Sequence, residues 1–139
     1  MFGLQIKYLS FFFGLISILS FFNIIYSYYF NLYLNLDTYY LSLFLPSTLA
    51  ILFYSLKISP KKTSIFQKIL TVFLGYILLP LVLSIPFYLS IYNLTFINSF
   101  FEAVSGFTST GFTIFENIKN IDQSLILWRS TIRWVGGLY

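Results

Sequence analysis

The nonapeptide SGFTSTGFT (residues 105–113) holds two glycines, five hydroxyl side chains and two phenylalanines. It follows the apolar SFFEAV (99–104) and leads through IFENIKNID (114–122) into LILWRSTIRWVGGLY (125–139). A polar, glycine-containing segment between apolar runs is costly unless its backbone is buried in protein or lines water. Which of these applies decides the fold.

The surrounding composition narrows the choice. Of 139 residues, 58% are hydrophobic, 23% aromatic and 9% charged. A soluble domain carries roughly a quarter charged residues, so this chain cannot cover a water-facing shell and reads as a membrane protein with lipid as its surroundings. It contains no Cys and no His. That removes disulfides, thiolate metal sites, Cys nucleophiles and imidazole bases. The carboxylates are Asp37, Glu102, Glu116 and Asp122, too scattered for paired acid–base work. No enzyme and no cofactor are expected.

Residues 8–30 form a first apolar run, preceded by Lys7 and too long and aromatic for a signal peptide. Residues 31–38 read as a short loop holding Asp37. Residues 39–57 form a second run, interrupted by Pro46. Lys57, Lys61, Lys62 and Lys68 cluster in the next loop. Nucleic acid is one reading of a +4 chain, but lysines between apolar runs follow the positive-inside pattern, which puts the loop and the N-terminus in the cytoplasm. Residues 69–92 form a third run with Pro80 and Pro86. The expected organisation is a helix pair (1–58), a basic cytoplasmic loop (59–68) and a third unit (69–139). The Phe and Tyr side chains of residues 8–54 are expected to face lipid and its interfaces. Asn93-Leu94-Thr95 matches a glycosylation sequon and reads as chance.

Residues 96–107 are apolar but too short to cross about 30 Å of hydrocarbon. Ser99 and Glu102 have the spacing of a capping box, which predicts a helix over 99–107. Asp122 suits the N-cap of a further helix, and the 17 residues from Gln123 to Tyr139 would extend about 25 Å, short of a full span. The pattern is membrane helix, half-helix, polar Gly/Thr segment, loop, membrane helix. An irregular segment of that kind can line an ion path, where backbone carbonyls replace a cation's hydration shell. The C-terminal end of the half-helix would favour cations.

FFEAVSGFTSTGFT followed by LWRSTIRWVGG resembles the first pore repeat of the Trk/Ktr potassium transporter family, in its TrkH-like membrane subunit. The resemblance implies an all-α membrane fold: an N-terminal helix pair, then a membrane-helix/pore-loop/membrane-helix repeat with a re-entrant pore helix. Four such repeats surround one pore, each giving a quarter of the filter. Carried onto these residues, the filter is 108–113. Gly111 takes the filter glycine position, and Thr108, Ser109, Thr110 and Phe112 flank it. Potassium would be held through Thr110 and Gly111. Phe112 and Thr113 stand where potassium channels carry Tyr and a second Gly, which leaves fewer carbonyl sites. The resemblance further implies potassium uptake across a bacterial cytoplasmic (inner) membrane, a homodimer and a cytosolic nucleotide-binding regulatory subunit.

Other readings attach to the same residues. Glu102 is either an ion-attracting carboxylate or, as the spacing favours, a helix cap. Arg129 and Arg133 are four apart and share a helix face. They read as structural tethers, Arg129 reaching the outer interface and the deeper Arg133 pairing with Glu102 or a carbonyl behind the filter. Gly136-Gly137 reads as close helix packing. Because a single repeat supplies one filter quarter, the expectation for these 139 residues is a part of a transporter. The alternatives are a truncated, non-transporting fragment or small membrane scaffold, and, more weakly, a subunit of a larger membrane complex.

Overall fold

The computed structural model describes residues 6–56, 64–90 and 92–139. Lys57, Lys61 and Lys62 of the basic loop lie outside the described residues. Every regular element among the described residues is helical: α1 (Ile6–Tyr29), α2 (Leu36–Ser55), α3 (Ile65–Leu83), α4 (Ile85–Tyr88), α5 (Phe96–Phe107), a 3-10 turn (Ile118–Asn120) and α6 (Gln123–Leu138). Three helical stretches are long and apolar enough to cross a membrane: Ile6–Tyr29, Leu36–Ser55 and Ile65–Tyr88. The chain is a helical membrane protein.

Helices α1 and α2 form an antiparallel hairpin held largely by serines. Pro46 sits inside α2 and cannot donate to the carbonyl four residues earlier. That carbonyl, of Ser42, instead accepts from the Ser20 hydroxyl of α1 at 2.8 Å. Ser17 and Ser10 add bonds to the Leu43 and Ala50 carbonyls. A proline in a membrane helix is tolerated when a neighbour re-satisfies the freed group in this way. The α3–α4 break at Ser84 is spanned by the Trp128 indole, which donates to the Leu83 carbonyl at 3.0 Å.

Several boundaries differ from expectation. Asp37 lies in the first turn of α2, not in the preceding loop, where a carboxylate suits the positive end of the helix. Lys68 lies in α3, which begins at Ile65, so the basic loop is shorter than 59–68. The aromatic residues do not all face outward. Phe12, Phe13 and Tyr39 are in the core, while Phe11, Phe22 and Tyr29 are exposed. The small polar residues Ser10, Ser17, Ser20, Asn23 and Ser27 of α1 are all buried on one face, and that polar stripe, not the apolar pattern, marks the side on which rings turn inward.

Contacts fix two opposite ends of the bundle. At one, the Tyr8 hydroxyl donates to the Tyr139 carbonyl, and the Tyr139 hydroxyl donates to the Thr71 and Val72 carbonyls. At the other, Asn35 donates to Asp122 Oδ2 at 2.8 Å, and Tyr39 shares a hydrogen bond with Ser124 at 2.9 Å. Asp122 caps α6 by accepting from the Ser124 amide, as expected.

Candidate functional site

Helix α5 leaves the Asn35/Asp122 end and descends along α6. Its first ring, Phe96, packs on Tyr88. Its last, Phe107, reaches the rings of Tyr76 and Tyr139. A Cβ on Gly136 would overlap the Phe107 carbonyl, so this glycine lets α5 and α6 meet backbone to backbone. Gly136 is 13 residues beyond the start of α6, about 20 Å along it. From there the chain returns without regular structure to the same end, where the Tyr92 hydroxyl donates to the Asn120 carbonyl and accepts from the Asp122 amide.

Thr95, not Ser99, caps α5: its side chain accepts from the Asn98 amide. Ser99 lies a turn inside and donates to the Thr95 carbonyl. The expected Ser99/Glu102 capping box is therefore absent, and the helix starts three residues earlier than 99. The physical reason is that Thr95 is extended and offers an equivalent oxygen one turn earlier. This leaves Glu102 on the face turned toward the returning segment.

Glu102 is the organising side chain. Its Oε1 accepts from the Thr113 hydroxyl and, at 2.7 Å, from the Ile114 amide. Its Oε2 accepts from Arg129 Nε at 3.1 Å. The side chains of Glu102 and Arg129 are 1% and 12% exposed. A carboxylate so buried would be prohibitively costly without these three donors. Arg129, rather than Arg133, is thus its partner, and Arg129 turns inward instead of reaching an interface. The single clamp joins α5, the segment after residue 112 and α6.

A second tether acts at the other end. The Ser105 hydroxyl donates to the Phe112 carbonyl at 2.7 Å, and the Ser105 carbonyl accepts from the Thr110 amide at 3.0 Å. Thr108 donates to the Val104 carbonyl, so in the 2.6 Å contact between the Thr108 and Thr110 hydroxyls Thr110 is the donor. Between the tethers, Thr108, Ser109, Thr110, Gly111 and Phe112 are all exposed. No donor among the described residues reaches the carbonyls of 108–111. Backbone φ is positive at Ser109 (56°) and Gly111 (86°). Gly accommodates this freely, whereas Ser pays for it. Ser105, Thr113 and Ile114 are the residues that sequence reasoning undervalued; only the hydroxyl chemistry of Ser105 and Thr113 hinted at their roles.

Arg133 is exposed. Its Nη2 lies 3.9 Å from where a Cβ on Gly111 would stand. No group of His, Cys, Asp or Glu side chains suited to a metal ion occurs among the described residues. A surface cavity of about 380 Å³ lined by Tyr88, Leu89, Ser90, Asn93 and Leu94 touches none of residues 105–113.

These features define a class: a helical membrane protein with an exposed, carbonyl-bearing segment clamped at both ends. Comparison with known proteins narrows it. The chain is 42% identical over 60 residues to the Trk system potassium uptake protein TrkI of Halomonas elongata, covering 43% of this chain and 11% of that protein. It is 41% identical over 46 residues to TrkG of Escherichia coli, covering 33% and 10%. It is 29% identical over 79 residues to an uncharacterized cation transporter of Methanocaldococcus jannaschii, covering 57% and 17%. These similarities make the chain a relative of the Trk potassium uptake proteins, which are transporters and not enzymes. The matched stretches span 10–17% of those relatives' length. No family model matches the chain, and no solved structure matches it significantly.

Proposed function

We propose that the chain contributes to potassium uptake across a bacterial cytoplasmic membrane, with residues 108–113 as one quarter of a cation filter. The single observation that carries this is the run Thr108–Phe112: exposed, anchored at both ends, and with carbonyls at 108–111 that accept nothing from the described residues. Carbonyls kept away from protein donors are what a dehydrating cation needs. In this reading α5 is a pore helix that re-enters the membrane, supported by the departure and return of the chain at one end of the bundle. The remaining three quarters come from further repeats of the same or another chain.

The Phe112 carbonyl is the exception within the run, because Ser105 already donates to it. The ion-facing set is therefore Thr108 to Gly111, with Phe112 holding the segment's shape. Potassium is the cargo, and no cofactor is needed. The N-terminus is cytoplasmic, and a homodimer with a cytosolic nucleotide-binding subunit is the assembly the resemblance implies. Rubidium uptake by potassium-auxotrophic cells expressing the complete native gene tests the reading. Uptake above the empty-vector level, competed by external potassium, is expected. No uptake from protein that reaches the membrane would overturn it and favour a non-transporting scaffold.

A further inference from the structure

The two arginines of α6 differ in a way the transport reading does not use. Arg129 is neutralised by Glu102. Arg133, one turn on, has no ion-pair or hydrogen-bond partner among the described residues. Each of the four carboxylates lies elsewhere: Glu102 is taken by Arg129, Asp122 holds Asn35 and Ser124, and neither Asp37 nor Glu116 pairs with Arg133. The residue is ten positions beyond the start of α6, about 15 Å along it. An unpaired arginine facing hydrocarbon at that depth is strongly disfavoured. Its face must therefore turn to water or protein, and it is the face shared with Gly111.

We propose that Arg133 is an affinity-setting residue of this site: a tethered, permanently charged guanidinium beside the Gly111 bend that lowers the site's affinity for the incoming monovalent cation. The chemistry is direct. The guanidinium cannot lose its proton. It lies 3.9 Å from the Cβ position of Gly111, beside carbonyls that no described donor occupies. A cation bound at those carbonyls would feel its repulsion. Gly111, having no side chain, leaves the space between them open.

This inference rests on the filter reading, and the test separates the two. Concentration-dependent rubidium uptake is measured in potassium-auxotrophic cells expressing the complete native gene with Arg133→Gln, Arg133→Met or Arg133→Lys, each corrected for membrane protein level. At a separation of about 6 Å, repulsion between unit charges corresponds to about threefold in affinity even at the dielectric of water, and more in a drier path. The Gln and Met variants should therefore lower the apparent KM by about threefold or more, and Lys should keep the wild-type value. A structural role would change the maximal rate and leave KM unmoved. Either an unchanged or raised KM in both neutral variants, or Lys behaving like Gln, overturns the proposal while leaving the filter reading intact. Should Arg133→Gln fail to reach the membrane, the Met and Lys pair decides. Absence of uptake in the wild type would remove the filter reading and this proposal together.

Discussion

Replacing Glu102 by Ala removes one acceptor from three donors at once. The Ile114 amide loses a 2.7 Å bond to a carboxylate, Thr113 loses its hydroxyl acceptor, and Arg129 loses its counter-ion. A hydrogen bond to a charged group contributes about 1.5–3 kcal/mol. At about 1.36 kcal/mol per tenfold, the Ile114 amide should open and exchange roughly ten to a hundred times faster. Breaking a buried pair from one side costs about 3–5 kcal/mol; the slight exposure of Arg129 favours the lower part of that range. Hydrogen–deuterium exchange of the purified protein in lipid nanodiscs reads this directly. Peptides covering 108–116 should lose protection, and peptides from α1 should not. In Glu102→Ala/Arg129→Ala the loss should be smaller than the sum of the two single variants, because no charge is left buried alone. Protection at 108–116 within about twofold of wild type, in folded Glu102→Ala protein, would refute the clamp.

Two other contacts can be probed by thermal unfolding in detergent. Gly136→Ala should destabilise by about 1–3 kcal/mol, since its Cβ would overlap the Phe107 carbonyl; Gly137→Ala, with nothing within 4 Å, should be close to neutral. Ser20→Ala should cost about 1–3 kcal/mol by stranding the Ser42 carbonyl that Pro46 leaves without a helical donor. In a Pro46→Ala background, where residue 46 has an N–H to give, that cost should shrink.

Local chemistry explains which parts of the molecule were legible beforehand. Asp122 could be read as a cap because capping reaches only two or three residues. The apolar runs gave three spans because length and hydropathy are summed properties. Ser99/Glu102 misled because the capping-box spacing also places Glu102 on the face that meets residues 113 and 114. Those partners lie 11 and 12 residues on, beyond any helical rule. The choice of Arg129 over Arg133 depends on the depth at which α5 meets α6, which Gly136 sets through Phe107. Spacing could say that the arginines share a face, but not which of them meets a carboxylate. Inward and outward aromatics on α1 could not be told by hydrophobicity, because the signal lies in the buried stripe Ser10, Ser17, Ser20, Asn23 and Ser27.

The central claim is that the exposed run 108–111 coordinates the transported cation around Gly111. Gly111→Ala isolates it, because the new Cβ would meet nothing closer than Arg133 at 3.9 Å. The substitution adds only the strain of a positive φ, about 1–2 kcal/mol, and shifts the carbonyls as that strain relaxes. The measurement is the ratio of rubidium to sodium uptake in potassium-auxotrophic cells expressing the complete native gene. The account predicts a clear fall in that ratio, by about tenfold or more if the strain is released at the ion site. A ratio equal to the wild type, with normal protein in the membrane, would contradict it.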